Sequence, residues 1–165
     1  MARIVNIPKN VDVNENTSIL VLPKASIADP NAPSAATLQA APELAFEHTT
    51  AGPNASTTQA VKTDPRFALQ AVPEAPGEVT HALEPTYFYG DADLDMDPLV
   101  VEGAELWYVV RDVTAVTTDY AAGQKVDVYS VKAGIPRKNR EHGGKATKTT
   151  KLFVQQFYPG VTLVA

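Results

Sequence analysis

The chain has 165 residues, of which 44% are hydrophobic and 20% charged, and it contains 13 prolines. This composition suits one compact domain with long connections. The lack of cysteine excludes disulfide scaffolds, zinc knuckles and thiol nucleophiles, and a net charge of −5 opposes nucleic-acid binding through the overall field.

Residues 1–15 are predicted to be an extended arm that only a partner surface orders, because Pro8 and several polar residues interrupt the apolar pattern begun by Ile4 and Ile7. Residues 16–165 are predicted to be a single β domain. The start of the chain lacks the apolar run of a secretory signal, which favours production in a cytosol. The longest apolar block, residues 106–110, is far too short to span a bilayer.

The first half of the domain predicts a strand at residues 17–22 and a short helix at residues 35–40, with Ser34 at its N-cap and Pro42 ending it. Residues 43–48 alternate polar and apolar side chains, which predicts a strand with one buried face. Residues 50–64 are predicted to be a surface connection. A hairpin is then predicted from residues 66–72 and 79–83, with residues 73–78 as its tip.

The second half predicts an aromatic strand end at residues 84–90, and the further strands are predicted at residues 99–102, 105–110, 125–131, 151–157 and 161–164. Eight to ten short strands and one helix indicate a mainly β fold, either a β-sandwich or a partly closed β-barrel with one short flanking α-helix. The predicted core residues are Leu20, Leu22, Val109, Val126, Val128 and Val154.

Residues 132–151, the basic segment, carry seven basic residues and one acidic residue. Their glycines and proline predict a flexible loop extending from an acidic body. Such a loop suits contacts between identical copies better than nucleic acid, since it offers no aromatic ring for base stacking; a merely solvated loop is the alternative. The candidate contact residues between copies are Lys132, Arg137, Lys138, Arg140, Lys145 and Lys148.

Four aspartates at alternate positions form the most unusual local pattern, and Glu102 follows them at nearly the spacing of a calcium loop. Met96 stands where that loop needs glycine, and the flanks do not predict helices, so a solvated acidic turn is the favoured interpretation and no metal is expected. If extended, the segment would place its carboxylates on one face. The candidate acidic-face residues are Asp91, Asp93, Asp95, Asp97, Glu102 and Glu105.

No catalytic motif accompanies the three histidines, His48, His81 and His142. No nucleophile elbow, phosphate-binding loop or dinucleotide-binding turn is present. We therefore expect neither an enzyme nor a bound cofactor.

The order and spacing of several short segments resemble the major tail tube proteins of long-tailed, siphovirus-type bacteriophages, especially those of actinobacteria. The segments that carry this resemblance are residues 27–33, 103–111, 121–129, 134–138 and 149–154. The resemblance implies a tail-tube type of β fold and subunits that form hexameric rings stacked into a hollow tube, through which DNA leaves the virion.

The resemblance also implies a structural virion protein that assembles in the cytoplasm of the bacterial host. Its expected partners are further copies of itself, a tape-measure protein in the bore, and tail terminator and tip proteins. DNA would pass without binding, since an acidic lumen repels phosphate. Contacts between rings are expected from residues 1–15, from the basic segment and from the predicted hairpin tip.

Two other functions compete with this one. A carbohydrate-binding β-sandwich module could use exposed rings of Tyr87, Tyr89, Trp107 and Tyr108 to stack on sugars, although the apolar strand around Trp107 favours a core position for that residue. A head–tail connector or capsid decoration protein would have a similar size and β content.

Overall fold

A computed structural model describes residues 16–63, 73–90, 95–140 and 144–165, and these form a mainly β fold. The strands are β1 Ser18–Pro23, β2 Ala55–Thr63, β3 Glu74–Leu83, β4 Thr86–Phe88, β5 Glu105–Arg111, β6 Lys125–Ala133, β7 Arg137–Asn139, β8 Thr147–Thr149 and β9 Leu152–Thr162. The helices are α1 Ala35–Gln39 and α2 Met96–Leu99, with 3-10 turns at Lys24–Ser26 and Ala45–Glu47.

Two antiparallel sheets build the fold, and neither closes into a barrel. The larger has the strand order β1-β5-β6-β9-β3-β2, and the smaller has the order β4-β8-β7. The mainly β prediction is therefore confirmed. Among the described residues, no helix is long and apolar enough to cross a membrane.

The large sheet is buried on both faces at β1, β5 and β6. Alternate residues of β1 point to opposite faces, so Ile19 and Val21 join one apolar cluster while Leu20 and Leu22 join the other. The first cluster lies against α2 and β4, and the second lies against α1 and the end of the chain. Such near-continuous apolar strands are what a sheet covered on both sides requires.

The predicted core is largely correct. Leu20, Leu22, Val109, Val126 and Val128 are all buried. The sixth predicted core residue, Val154, is only half-buried and packs against the edge of the first cluster.

Helix α1 confirms the short helix predicted after Ser34. That serine occupies the N-cap position, but its side chain makes no capping hydrogen bond. Its backbone instead bridges to Val164, and the Ala35 amide donates to the Val164 carbonyl at 2.8 Å. The end of the chain therefore holds the start of the helix, while Leu38 anchors the helix in the core.

The strand predicted at residues 43–48 is wrong, because this segment contains a 3-10 turn. The Glu43 carboxylate accepts hydrogen bonds from the Ile19 amide at 2.8 Å and the Ala45 amide at 3.0 Å. These bonds turn the chain at the point where a strand would continue. The polar residues of this segment alternate with apolar ones because carboxylates here accept hydrogen bonds from backbone amides, and not because they form the solvent-facing side of a strand.

The strand predicted at residues 99–102 is also wrong, since Leu99 ends α2 and the following residues form a turn. The buried Glu47 carboxylate accepts hydrogen bonds from the amides of Asp95 and Met96, both at 2.8 Å. It thereby satisfies donors at the start of a helix that has no capping side chain of its own.

The predicted hairpin is confirmed in its strand at residues 79–83, which lies in β3, but β3 begins earlier than predicted and pairs with β2. Residues 55–63, predicted as a connection, form β2, and residues 73–78, predicted as a tip, lie mainly in β3. The predicted strand at residues 66–72 falls outside the described residues. The exposed, threonine-rich β2 has strong strand propensity but no apolar face, so its sequence lacks the alternation that predicts a half-buried strand.

The remaining strand predictions are confirmed at β1, β4, β5, β6 and β9. The separate final strand predicted at residues 161–164 instead begins as the continuation of β9, which runs to Thr162.

Candidate assembly surfaces

The basic segment is more ordered than the loop predicted for it, because it contains β7 and β8. Asn139 donates from Nδ2 to the hydroxyl oxygens of Thr147 at 3.2 Å and Thr149 at 2.9 Å, which joins the two strands. The Thr149 hydroxyl also bonds to that of Thr86 on β4, at 2.8 Å. Hydrogen bonds between polar side chains thus join β7 and β8, two strands that the pattern of apolar residues does not predict.

Three lysines of the basic segment gather around the aromatic end of β4. The ammonium groups of Lys138 and Lys148 lie 5.5 and 4.8 Å from the centre of the Tyr89 ring, and that of Lys145 lies 5.2 Å from the Phe88 ring. Cations at these distances are attracted to the ring faces. This surface therefore presents positive charge in a fixed arrangement.

Two of the predicted contact residues already have acidic partners within the same chain. Arg137 pairs with Glu84 at 2.6 Å, and Lys148 pairs with Asp97 in a partly buried ion pair. Lys132 lies directly opposite Glu105 in the β5–β6 register. Of the six candidates, Lys138, Arg140 and Lys145 are exposed residues for which no ion pair is found in the described part of the chain.

The described acidic candidates lie in different kinds of local structure. Asp97 lies in α2, Asp95 precedes it, Glu102 lies in a turn and Glu105 begins β5. Asp95 and Asp97 therefore do not lie in the extended segment on which a common face of the four aspartates depended, because Glu47 draws residues 95–96 into a helical start. Asp91 and Asp93 fall outside the described residues. Within the described ranges no cluster of three or more metal-binding side chains occurs.

The β2–β3 hairpin is a further candidate assembly surface, and residues 73–78, which were expected to contact a neighbouring ring, lie mainly in its strand β3. Every residue of β2 is exposed, and β3 is almost equally exposed until its last residue, Leu83. The only register pair that joins β3 to β9 within the described chain is Leu83 with Leu152. Most of the hairpin therefore extends beyond the sheet to which it is attached.

A small aromatic stack anchors the root of the hairpin. The His81 ring lies 4.7 Å from the Phe157 ring, which stacks on Tyr129 at 4.3 Å. Across the hairpin, the Thr57 hydroxyl and His81 Nδ1 form a hydrogen bond of 2.9 Å. These contacts set the direction in which the hairpin leaves the sheet.

The two edge strands of the large sheet pair with no further strand among the described residues. Strands β1 and β2 form its two ends, and β9 is paired with β3 at one position only. Open edges carry backbone donors and acceptors that can pair with another chain. Apolar side chains are exposed nearby, including Val61 on β2, Val79 on β3 and Phe153 on β9.

The three histidines do not form a reaction centre with the described residues. His48 is buried, with Nδ1 bonded to the Leu44 carbonyl at 2.8 Å and Nε2 to the Tyr108 hydroxyl at 2.9 Å. Burial lowers the pKa of His48 and raises that of Tyr108. The carbonyl can only accept, so Nδ1 carries the proton and Nε2 accepts from tyrosine. His81 belongs to the hairpin root, and His142 falls outside the described residues.

A second polar network supports the fold behind β1. Arg111 is buried and donates to the carbonyls of Ala115 and Thr118 and to the Gln124 side chain. Its guanidinium also lies 4.0 Å from the centre of the Tyr120 ring, and burial raises the pKa of Tyr120 to about 12. These groups hold the long β5–β6 connection in place.

The rings required by the carbohydrate-binding alternative are mostly inaccessible. Tyr87, Trp107 and Tyr108 are buried, and the Trp107 indole donates to the Lys24 carbonyl at 2.8 Å. The predicted core position of Trp107 is thus confirmed. Buried rings cannot stack on a sugar, so this alternative loses its supporting observation.

Comparison with known proteins identifies a similar solved structure and the family of this chain. One similar solved structure is a chain of the anti-feeding prophage baseplate, determined by cryo-electron microscopy; it shares the fold with a TM-score of 0.59 and 11% identity, over 95% of this chain and 99% of that one. A search of curated protein sequences gave no match. A family model described as phage tail tube protein matches residues 5–165. The chain therefore belongs to the phage tail tube protein family and is a structural component of a virion tail.

Proposed function

We propose that this chain forms hexameric rings that stack into the tail tube of a long-tailed, siphovirus-type phage and conduct DNA into the host. The observation that carries this proposal is the β2–β3 hairpin, whose two faces are both exposed in a single copy. Assembly takes place in the host cytoplasm. A tape-measure protein fills the bore before ejection, and terminator and tip proteins close the ends.

An exposed two-stranded ribbon is at best marginally stable in water, because it has no apolar surface to pack against. The hairpin carries Val61 and Val79 on its surface and is joined to β9 by one register pair. A neighbouring copy supplies the missing surface when its sheet receives the hairpin. Rotation of this contact around an axis closes a ring, as a heterologous interface permits.

Six copies per ring agree with the similar structure of the anti-feeding prophage baseplate, which was symmetrised six-fold. That similarity covers almost all of both chains. A ring of six such hairpins and sheets leaves a central bore. The ring then needs a second set of contacts in order to stack.

The basic segment supplies charge for contacts between copies. Lys138, Arg140 and Lys145 are exposed, and the ammonium groups of Lys138 and Lys145 lie over the rings of Tyr89 and Phe88. They meet acidic residues of the next copy, and complementary charge fixes the register of that contact. Arg137 and Lys148 contribute less, because Glu84 and Asp97 of the same chain already pair with them.

Carboxylates in the bore keep DNA from binding, since negative charge repels phosphate and lysines would retain it. Among the described acidic candidates, Glu102 and Glu105 are exposed and suit this role. Asp97 suits it less, because Lys148 neutralises its charge. The double substitution Glu102→Gln and Glu105→Gln should slow genome ejection while tubes still form. Unchanged ejection with normal tubes would contradict the lumen assignment.

The test of assembly uses a glycine inside the hairpin. A Cβ at Gly77 would lie 2.7 Å from the Ala60 carbonyl oxygen, at the irregularity where β2 and β3 shift register. Gly77→Ala therefore distorts the hairpin without touching the core. We expect the wild-type chain to form rings or tubes, as seen by size-exclusion chromatography and negative-stain imaging, and Gly77→Ala to remain a folded monomer.

Ala75→Ser is the matched control, because it changes one exposed residue of the same strand without a steric clash. It should assemble like the wild type. A wild-type chain that stays monomeric at all concentrations would overturn the proposed function. Tubes of normal yield from Gly77→Ala would show that the hairpin is not the interface.

A further inference from the structure

Within the described ranges, Phe46 is the most exposed large hydrophobic side chain, with 70% of its surface accessible. The 3-10 turn that carries it is held on both sides. Before it, the buried Leu44 donates its amide to the Ile19 carbonyl at 2.8 Å, and after it, the Glu47 carboxylate accepts from the Met96 amide. The turn therefore presents the Phe46 ring to solvent in a fixed position. A rigid exposed aromatic ring is typical of the residues that anchor protein interfaces.

An apolar pocket of about 400 Å³ lies elsewhere on the surface, and we call it the Phe153 pocket. Phe153 and Ile135 line it and are both exposed. Gly103 and Gly134 also line it, and they leave space because they have no side chain. A cavity of about 150 Å³ already accepts benzene, so this pocket has room for a phenyl ring. Its described lining consists of residues 102–103, 132–135, 151 and 153.

The ring and the pocket of one copy lie near opposite ends of β5. The turn that carries Phe46 is bonded to Ile19, which is paired with Val110. The pocket lies where β5 begins, because its residue Lys132 is paired with Glu105. Five residues separate the two places along β5, which is about 17 Å in an extended strand. The Phe46 ring is therefore available to the pocket of another copy, in a heterologous contact that repeats from copy to copy.

Charges around the two features are complementary. Lys132 and Lys151 line the pocket together with one acidic residue, Glu102, and all three are exposed. For neither lysine is an ion pair found among the described residues. Asp95 is exposed beside Phe46, because its amide donates to the same turn at 2.8 Å. An excess of positive charge at the pocket thus faces a carboxylate beside the ring, which sets the orientation of the contact.

We propose that Phe46 of one copy inserts into the Phe153 pocket of the next, with Asp95 placed against Lys151. This inference rests on the proposed function, which brings the copies into contact. The two rings form an aromatic pair, an arrangement more favourable than apolar burial alone. The Lys151 ammonium lies 5.4 Å from the centre of the Phe153 ring, so the apolar and the charged contact are neighbours. Each copy then supplies one ring and receives one.

Photo-cross-linking tests which surface receives the ring. Benzoylphenylalanine in place of Phe46 keeps an aromatic side chain and reacts with the groups around it on illumination. We mix this full-length chain with ¹⁵N-labelled wild-type chain, allow assembly, illuminate, and identify the joined peptides by mass spectrometry. We expect joined peptides of mixed isotope that contain residues 132–135 or 151–153 of the labelled chain. Cross-links confined to other residues would overturn the proposal.

The matched control places benzoylphenylalanine at Val164, an exposed apolar residue beside α1. It should give no cross-link to the Phe153 pocket. Equal cross-linking of the pocket from Val164 and from Phe46 would overturn the assignment.

Substitution tests the strength of the contact. Phe46→Ala should raise the critical concentration for assembly about thirtyfold, as expected from the loss of one buried aromatic side chain. Its thermal unfolding as a monomer should match the wild type, because the ring is exposed in a single copy. Val164→Ala removes apolar atoms from another exposed residue and should leave the critical concentration unchanged. A wild-type critical concentration for Phe46→Ala would contradict the proposal.

A charge exchange tests the orientation. Asp95→Lys and Lys151→Glu should each raise the critical concentration about fivefold, the size of effect expected from reversing an exposed ion pair. Both substitutions in one chain should restore it to near the wild-type value, because every contact then has the pair reversed. Lys125→Glu, an equal charge change at an exposed residue at the other end of β6, is the control and should have no effect. A double variant that assembles no better than the weaker single variant would refute the pairing.

Negative-stain imaging of the cross-linked samples separates this inference from the proposed function. Tubes with cross-links only outside the pocket refute the Phe46 contact and leave the tube intact. Cross-links to the pocket in short oligomers without tubes support the contact and overturn the tube. A lack of cross-links between copies overturns the contact whatever the images show.

Discussion

Replacing Glu47 with alanine should destabilise the fold by about 2–4 kcal/mol, through the loss of two backbone hydrogen bonds to a buried carboxylate. The Asp95 and Met96 amides each donate to Glu47 at 2.8 Å. A hydrogen bond to a charged group contributes about 1.5–3 kcal/mol. The expected loss of stability is smaller than the sum of two such bonds, because water can replace Glu47 at the amide of the exposed Asp95 but not at that of the buried Met96.

Glu47→Gln should lose about 1–2 kcal/mol, because its amide oxygen still accepts one of the two bonds. Glu102→Ala is the matched control, since it removes an exposed carboxylate and should change stability by less than about 0.5 kcal/mol. The measurement is urea unfolding followed by circular dichroism, at protein concentrations where the midpoint no longer depends on concentration. If Glu47→Ala and Glu102→Ala unfold at the same urea concentration, the role given to Glu47 is refuted.

Two further outcomes follow from buried contacts. Burial lowers the pKa of His48 from its ordinary value of 6.5, so the unfolded chain binds a proton at a higher pH than the folded chain does. The free energy of unfolding of the wild type should therefore fall as pH drops below 6.5. In unfolding measurements, His48→Gln should reduce this pH dependence by up to about 1.4 kcal/mol per pH unit. Identical slopes for both chains would exclude His48 as a source. A Cβ at Gly134 would lie 2.8 Å from the Lys151 carbonyl oxygen, so Gly134→Ala should lower the melting temperature more than Gly103→Ala, which strains a φ of +80° but meets no atom within 4 Å. An equal or smaller shift for Gly134→Ala would contradict this.

The central sheet was predictable because its residues reveal their burial directly. Strand β5 contains the longest apolar run of the chain, and β6 alternates apolar residues such as Val126 and Val128. Such segments have one physically reasonable position, inside a core. The same pattern predicted the buried position of Trp107, and its burial removes one of the rings that sugar binding would need.

The remaining elements depend on partners distant in sequence, which local patterns do not record. Residues 43–48 alternate like a strand, yet Glu43 bonds the Ile19 amide and Glu47 bonds amides about fifty positions later. Strands β7 and β8 are held by Asn139 and threonine hydroxyls rather than by apolar contacts. Tertiary hydrogen bonds therefore decided the structure at these positions.

Strand β2 of the hairpin was not predicted for a different reason, since its residues are exposed in a single copy and give no buried face. Threonines at 57, 58 and 63 favour a strand, but exposed strands give no apolar alternation. A sequence selected for assembly spreads its packing over several chains, and one chain shows only part of the pattern. Exposed strands with high β-propensity and no core face are thus a signal of assembly surfaces, provided that the chain also builds a core elsewhere.

The residues that build the core of one copy differ from the exposed residues proposed to contact other copies. Strands β1, β5 and β6 bury both faces within one copy, so a monomer can fold before it meets a partner. The hairpin and the exposed cations contribute little to that core. Substitutions such as Glu47→Ala should therefore lower monomer stability and tube yield together, whereas Gly77→Ala should abolish tubes at nearly unchanged monomer stability. A tube whose subunits fold first can add rings one at a time from soluble monomers, because each interface forms only between finished surfaces.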